Sequence, residues 1–152
     1  MTEWQWSSFA DLPNADLYEM LAQRQAVFVL EQQCLYPDMD NYDQGAWHLL
    51  GWRIVDGKRQ LAASLRVIAP GVKYNEMSLG RVLSTPAARG TGAGRELLVE
   101  GIARAEQLHP GHRIRIGAQQ YLEAFYASFG FKTVSEPYDE DDQRQALNVS
   151  EG

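Results

Sequence analysis

The chain has a single cysteine, Cys34, in 152 residues, which excludes an internal disulfide and suits a reducing compartment. No histidine lies near it in sequence, so Cys34 reads as a semi-buried thiol rather than a nucleophile. No apolar run approaches the ~18 residues of a membrane span. The first residues, Met1-Thr2-Glu3-Trp4, bring neither the basic nor the apolar segment of a secretory signal, and the expected location is the cytoplasm. Excess positive charge is missing too. A formal charge of −6 argues against a general nucleic-acid binder, and an acidic surface would attract a cationic amine rather than an anionic acceptor. Repeats, low-complexity tracts and linkers are absent. The expectation is therefore one domain, 1–152, long enough to bury a core. Apolar residues at 45% and charged residues at 22% are ordinary for a globular protein.

Metal-binding patterns are also lacking. Asp38, Asp40 and Asp43 invite an EF-hand reading, but the fifth and sixth positions, a ligand and a glycine in such a loop, fall on Tyr42 and Asp43. No metal is expected, and Asp139-Glu140-Asp141-Asp142 reads as a solvated turn.

What is present is an α/β pattern. Glu3-Trp4-Gln5-Trp6 alternates as a first strand. Asn14 is placed to N-cap a helix running to about Gln32, with Leu17, Met20, Leu21, Val27 and Phe28 on one face. A loop from about Gln33 to Ala46 follows. Strands at about His48–Val55 and Gln60–Ile68 flank an Asp56-Gly57 hairpin turn. After Pro70-Gly71, Leu79-Gly80-Arg81-Val82-Leu83 reads as a strand. A helix follows with Leu97, Leu98, Gly101, Ile102, Ala105 and Leu108 on one face. Ile114, Ile116 and Ala118 alternate as a strand; Tyr121, Leu122, Phe125, Tyr126 and Phe129 recur at helical spacing before Gly130, a C-cap position. The end predicts strands near Lys132–Glu136 and Ala146–Val149.

Between the Leu79–Leu83 strand and the helix that follows it lies Arg89-Gly90-Thr91-Gly92-Ala93-Gly94. A strand feeding a glycine loop that opens a helix aims several N–H groups and the helix dipole at one spot, which suits phosphate. The spacing excludes a dinucleotide fingerprint, since Arg95 stands where its third glycine would be. It also excludes a P-loop, because no Lys-Ser or Lys-Thr pair follows. The pattern [QR]-x-x-G-x-[GA] is met by Arg89, Gly92 and Gly94. Downstream, Phe125-Tyr126-Ala127-Ser128-Phe129-Gly130-Phe131 matches [FL]-Y-x-x-x-G-F.

These two motifs, in this order, resemble those of the GCN5-related N-acetyltransferases (GNAT). The resemblance narrows to ElaA-like members of that family through Arg24–Gln32, Tyr36-Pro37-Asp38 with Asp40 and Asp43, His48–Trp52, Leu79–Val82 and Gly117-Ala118-Gln119. It extends from the first helix to about Tyr138. Beyond Asp142 the chain reads Gln-Arg-Gln-Ala-Leu-Asn-Val-Ser-Glu-Gly, where related chains continue Gly-Ile-Pro-His-Ile-x-Met. The resemblance implies a GNAT fold: a central mixed, mostly antiparallel sheet of about six or seven strands flanked by helices. Acetyl-CoA would bind where the middle strands splay.

The resemblance also implies site residues. Val82, Leu83 and Ser84 would supply main-chain bonds to the pantetheine arm, one N–H polarising the thioester carbonyl. Arg89, Gly90, Thr91, Gly92, Ala93 and Gly94 would hold the pyrophosphate, with Arg95 flanking the loop and Lys73 or Arg104 as further cations. Gln119, or Gln120, would replace the family's pantetheine-binding asparagine. Tyr126 would protonate the departing thiolate, although its place in an aromatic stripe also fits a core residue. Arg24 and Glu31, seven apart, fall on one helical stripe. Glu31 is therefore a candidate for binding or deprotonating the amine, the alternative being an ion pair with Arg24, Arg66 or Arg81. His48 reads as a satisfied, partly exposed histidine, and His109 and His112 as surface residues. Deprotonation through water stays open.

Three functions follow as alternatives. The first is an acetyl-CoA-dependent N-acetyltransferase working by direct attack in a ternary complex on a small-molecule or protein amine, with no membrane or nucleic-acid partner and a homodimer left open. The second is a coenzyme A-binding module without turnover. The third is an acyltransferase with another donor; Arg24-x-x-Val27-Phe28 is similar to a stretch of the acyl-homoserine-lactone synthases.

Overall fold

A β-hairpin forms the middle of the molecule. Strands β2 (Trp47–Val55) and β3 (Lys58–Ile68) pair antiparallel. They are joined by Asp56 and Gly57 at φ of 53° and 77°, the two left-handed residues of a type I′ turn. The computed structural model describes residues 1–31, 37–119, 122–133, 138–140 and 143–150. Gly51 pairs with Ala63 and Trp52 with Leu61, so Ala62 is one residue too many. That bulge reverses the inside–outside alternation. Leu61 therefore joins Leu50 and Trp52 in a cluster with Leu12 and Met20, beneath helix α1 (Asn14–Arg24). Ala63, Leu65 and Val67 instead face helix α2 (Ala93–Leu108), where Leu97, Leu98 and Ala105 are fully buried.

Two glycines allow close approaches, one within the sheet and one between helix and sheet. A Cβ on Gly51 would lie 2.5 Å from the Trp4 ring of β1 (Glu3–Ser8), which pairs antiparallel with β2. A Cβ on Gly101 would lie 2.5 Å from Leu65 Cδ2, so α2 approaches β3 as closely as it does only with glycine there.

Strand β4 (Met77–Ser84) pairs antiparallel with β3. Ser64 opposes Leu83 and Arg66 opposes Gly80, which leaves an extra residue on β4 at Arg81 and Val82. Arg81 takes φ 49°, the left-handed conformation that bends a bulged strand. On its other side β4 pairs parallel with β5 (Ile114–Gln119) only at Met77↔Ile114 and Ser78↔Arg115. From Leu79 onward the two strands part. Strand β8 (Gln143–Ser150) pairs antiparallel with β5. On its far side β8 pairs with β6 (Phe131–Thr133) and β7 (Tyr138–Glu140). The path β1-β2-β3-β4-β5-β8-β6 is seven strands long, with β7 as an eighth beside β8.

The expected α/β architecture and mostly antiparallel sheet are thus present, with β4·β5 as the parallel pair. The last strand is longer than Ala146–Val149 and lies inside the sheet, despite its divergent sequence. Of the strand expected at Lys132–Glu136, Phe131–Thr133 is described and residues 134–136 lie outside the described residues.

The first helix departs from expectation twice. Asn14 is its first helical residue rather than its cap; Pro13 caps it, and Pro13 O accepts from Leu17 N–H at 2.9 Å. After Arg24 the chain continues as a π-helix over Gln25–Glu31. Bonding i→i+5 takes about one more residue per turn than an α-helix, so Glu31 lags roughly a quarter-turn behind its α-helical position. The face shared by Arg24 and Glu31 is lost. Helix α3 (Glu123–Ala127) stops short of Phe129, where the aromatic stripe implied it would end, and Tyr121 lies outside the described residues; Gly130 at φ 91° follows, its N–H donating to Ala127 O at 3.0 Å.

Candidate active site

The splay of β4 from β5 opens a cavity of about 640 Å³. The π-helical segment walls it through Val27, Phe28 and Glu31, and the end of β4 through Val82, Leu83 and Ser84. The glycine loop and first turn of α2 add Ala88, Arg89, Gly90, Gly92, Ala93, Gly94 and Arg95; α3 contributes Phe125 and Tyr126, and the residue that caps it Leu122. Four distant stretches of sequence converge on one space because β4 parts from β5 there while staying paired with β3.

The loop has the shape that its glycines predict. Gly90 and Gly92 take φ of 78° and 85°, and Gly92 caps α2 with no side-chain bond. The first bond of the helix runs from Glu96 N–H to Gly92 O at 3.0 Å, so the N–H groups before it have no intrahelical acceptor. A Cβ on Gly94 would lie 3.2 Å from Ser84 Oγ, which keeps the helix start close to β4. Thr91 turns its side chain away from the cavity. Its hydroxyl donates to Ala88 O and accepts from Arg53 Nη1 at 2.7 Å.

The two loop arginines differ. Arg95 lies with its guanidinium 4.9 Å from the Phe129 ring centroid and 5.7 Å from that of Phe125, a cation–π shelf beside the cavity. Arg89 donates from Nε to Ser84 O at 3.3 Å. Its two terminal nitrogens donate to both Glu31 oxygens, at 3.0 and 2.7 Å. That bond holds the Glu31 carboxyl below its ordinary value. The ion-pair alternative for Glu31 is thus correct in kind and wrong in partner: the π-turns swing it from Arg24 toward the loop. Arg104 pairs instead with Glu100 at 3.1 Å, and Lys73 stands over the Tyr42 and Tyr74 rings. Neither lines the cavity.

Tyr126 is 5% exposed, stacked edge-on against Phe125 and Phe131 at 5.3 and 6.1 Å, and it lines the cavity as well. Core and cavity wall, opposed in the sequence, are the same place. Gln119 ends β5, but its side chain, with Gln120 and Cys34, lies outside the described residues.

Beneath the cavity wall lies a charge cluster that sequence reasoning missed. Arg24 donates to both Asp43 oxygens at 2.8 and 3.1 Å and its Nε stands 2.9 Å from Asp38. Arg66 reaches Asp40 and, at 2.9 Å, Asp43. Arg81, turned by the β4 bulge, stands 2.8 Å from Asp38 and 3.2 Å from Asp40. Burial raises the Asp40 and Asp43 carboxyls, but the arginines outweigh it and hold Asp40 well below, and Asp43 below, the usual range. His48 is fully buried rather than partly exposed; burial lowers its pKa, and its Nε2 lies 3.0 Å from Asp43 O. The signal was legible in part: three aspartates in one loop, and arginines at Arg24, Arg66 and Arg81 in otherwise apolar elements. Among the described residues no group of histidine, cysteine and acidic side chains could hold a metal ion, and no helix is long and apolar enough to cross a membrane.

Comparison with known proteins bears on this geometry. Residues 54–145 match the family described as an acetyltransferase (GNAT) domain. The chain is 45% identical over 137 residues to a UPF0039 protein of Synechocystis sp., covering 90% of this chain and 87% of that one. It is 36% identical over 143 residues to protein ElaA of Escherichia coli, covering 93% and 91%. Among solved structures it is similar to an acyl-CoA N-acyltransferase from Pseudomonas aeruginosa, with TM-score 0.91, 37% identity and 99% of each chain covered. The crystal structure of Escherichia coli ElaA gives TM-score 0.90 and 34% identity, covering 99% of this chain and 100% of that one.

Proposed function

We infer the function from the family: the chain belongs to the GNAT acetyltransferases and is ElaA-like, and the activity that follows is acyl-CoA-dependent N-acyl transfer. Within that activity the donor is acetyl-CoA and the acceptor a primary amine, of a small molecule or a protein. One observation carries the reading. The freed end of β4 and the glycine loop that opens α2 line a single cavity, which suits an extended thioester arm ending in a pyrophosphate.

The roles follow from position. Main-chain groups of Val82, Leu83 and Ser84, with no β5 partner beyond Ser78, would bond the pantetheine amides, and one N–H would stabilise the oxygen of the reacting carbonyl. Main-chain N–H groups of Gly90, Gly92, Ala93 and Gly94 and the positive charge of Arg89 would hold the pyrophosphate, and Arg95 a neighbouring phosphate. The amine nitrogen would attack the carbonyl carbon in a ternary complex and break the C–S bond; Tyr126 would give its phenolic proton to the sulfur and regain one, through solvent, from the nitrogen as the amide forms. An alkylamine is protonated at neutral pH, and removing its proton costs about 4–5 kcal/mol. Glu31 at the cavity wall would either hold the ammonium in position, which favours its charged form, or relay its proton to solvent.

Acetyl-CoA should raise the melting temperature by mass action on the folded state. Gly92→Glu puts a side chain at φ 85° and a negative charge at the pyrophosphate, and should abolish that rise. An undiminished rise in the folded variant would put the ligand elsewhere. Thiol release with a panel of amines then separates turnover from binding alone, and longer acyl donors test the choice of acyl group.

A further inference from the structure

We propose that Glu31 and the coenzyme pyrophosphate compete for the Arg89 guanidinium, so that donor binding transfers Arg89 to phosphate and releases the Glu31 carboxylate at the cavity wall. This rests on the coenzyme site described above.

The geometry of Arg89 makes the exchange necessary. Its Nε faces Ser84 O, and both terminal nitrogens are engaged by Glu31 Oε1 and Oε2. A guanidinium offers its end-on fork to one two-oxygen group at a time, whether carboxylate or phosphate. Glu31 therefore occupies the edge that a pyrophosphate beside Gly90–Gly94 would take. Both side chains are 43% exposed, so the pair contributes little and a doubly anionic ligand displaces it readily. Glu31 is in this position because of the π-helical turns after Arg24; an α-helix would carry it back toward Arg24.

The exchange has a functional consequence. While Arg89 holds Glu31, the carboxylate is neutralised and has little attraction for an ammonium. Once phosphate takes the arginine, a bare carboxylate stands in the same cavity wall as Val27 and Phe28. Recognition of the cationic acceptor then depends on the donor already being present.

Two measurements on the full chain test this. Titration calorimetry with coenzyme A at low salt should give a dissociation constant about 2- to 5-fold smaller for Glu31→Gln than for the native protein, because the competitor is gone. Carbon-detected NMR of the Glu31 carboxyl, assigned by its loss in Glu31→Gln, should show a depressed pKa without coenzyme. Saturating coenzyme A should raise that pKa at least to the value found in Arg89→Gln. A Glu31 carboxyl that stays depressed in the complex would mean that Arg89 serves both anions at once, and would overturn the exchange. Equal or weaker binding by Glu31→Gln would do the same. No binding heat with coenzyme A in the native protein would overturn the coenzyme site itself, a result distinct from either.

Discussion

Two sets of arginine–carboxylate pairs lie close together in this fold, and burial makes them different devices. Arg24, Arg66 and Arg81 with Asp38, Asp40 and Asp43 form a cluster in which Arg24 and Arg66 are 1% and 2% exposed and Asp43 8%. Arg89 and Glu31 form an equally good bidentate pair at 43% exposure. In the first set Arg24, Arg66, Asp38 and Asp43 have lost their water and depend on their partners, so the cluster fixes the Pro37–Ala46 loop against α1, β3 and the β4 bulge. In the second, water competes for both groups and the contact can be exchanged. One set fixes a loop, and the other stands in the cavity wall, where the proposed exchange would use it.

The comparison can be tested by separating activity from stability. The largest effect should come from the cavity side. Tyr126→Phe removes one hydroxyl and little volume, so the edge-on packing with Phe125 and Phe131 survives and stability changes modestly. Loss of a positioned acid should lower kcat by about 10²–10⁴ with the acetyl-CoA dissociation constant little changed. Near-normal kcat in the folded variant would return Tyr126 to the core alone. Next, Asp43→Ala strips partners from both Arg24 and Arg66 and should destabilise the protein by about 3–5 kcal/mol in denaturant unfolding. Its exposed counterpart, Glu31→Gln, should leave the denaturation midpoint unchanged. A midpoint that moves equally in both variants would erase the distinction.

Much of the site was legible in the sequence, and for a local reason. The glycine loop needs left-handed backbone at fixed offsets, and those needs are written directly at Gly90 and Gly92. The aromatic motif likewise placed Tyr126. What failed was register. Periodicity was read at a uniform α-helical pitch, and the π-helical stretch Gln25–Glu31 broke that assumption, sending Glu31 to Arg89. The Arg–Asp cluster was missed because its partners are 14 to 43 residues apart, joined by sheet pairing and a bulge at Arg81. The last strand, expected only at Ala146–Val149, runs over Gln143–Ser150 although its sequence departs from related chains, because strand pairing asks mainly for backbone.

The smallest effect isolates the histidine beneath the cluster. The Asp40 and Asp43 carboxyls are depressed in the folded protein, so their stabilisation is present above the unfolded value near pH 3.9 and is lost as pH falls below it. His48 is depressed as well, by burial first and by Arg24 and Arg66 beside it, against an opposing pull from Asp43. The unfolded chain therefore takes up the His48 proton before the folded protein does. Stability should begin to fall below about pH 6.5, by at most about 1.4 kcal/mol per pH unit, until the folded histidine itself protonates. Unfolding followed by denaturant at a series of pH values should show two steps, one starting near neutrality and one below about pH 4. In His48→Gln, where the amide can still bond to Asp43 O, the upper step should shrink and the lower one remain. An identical pH profile in the two proteins would mean that His48 keeps its ordinary affinity for a proton despite its burial.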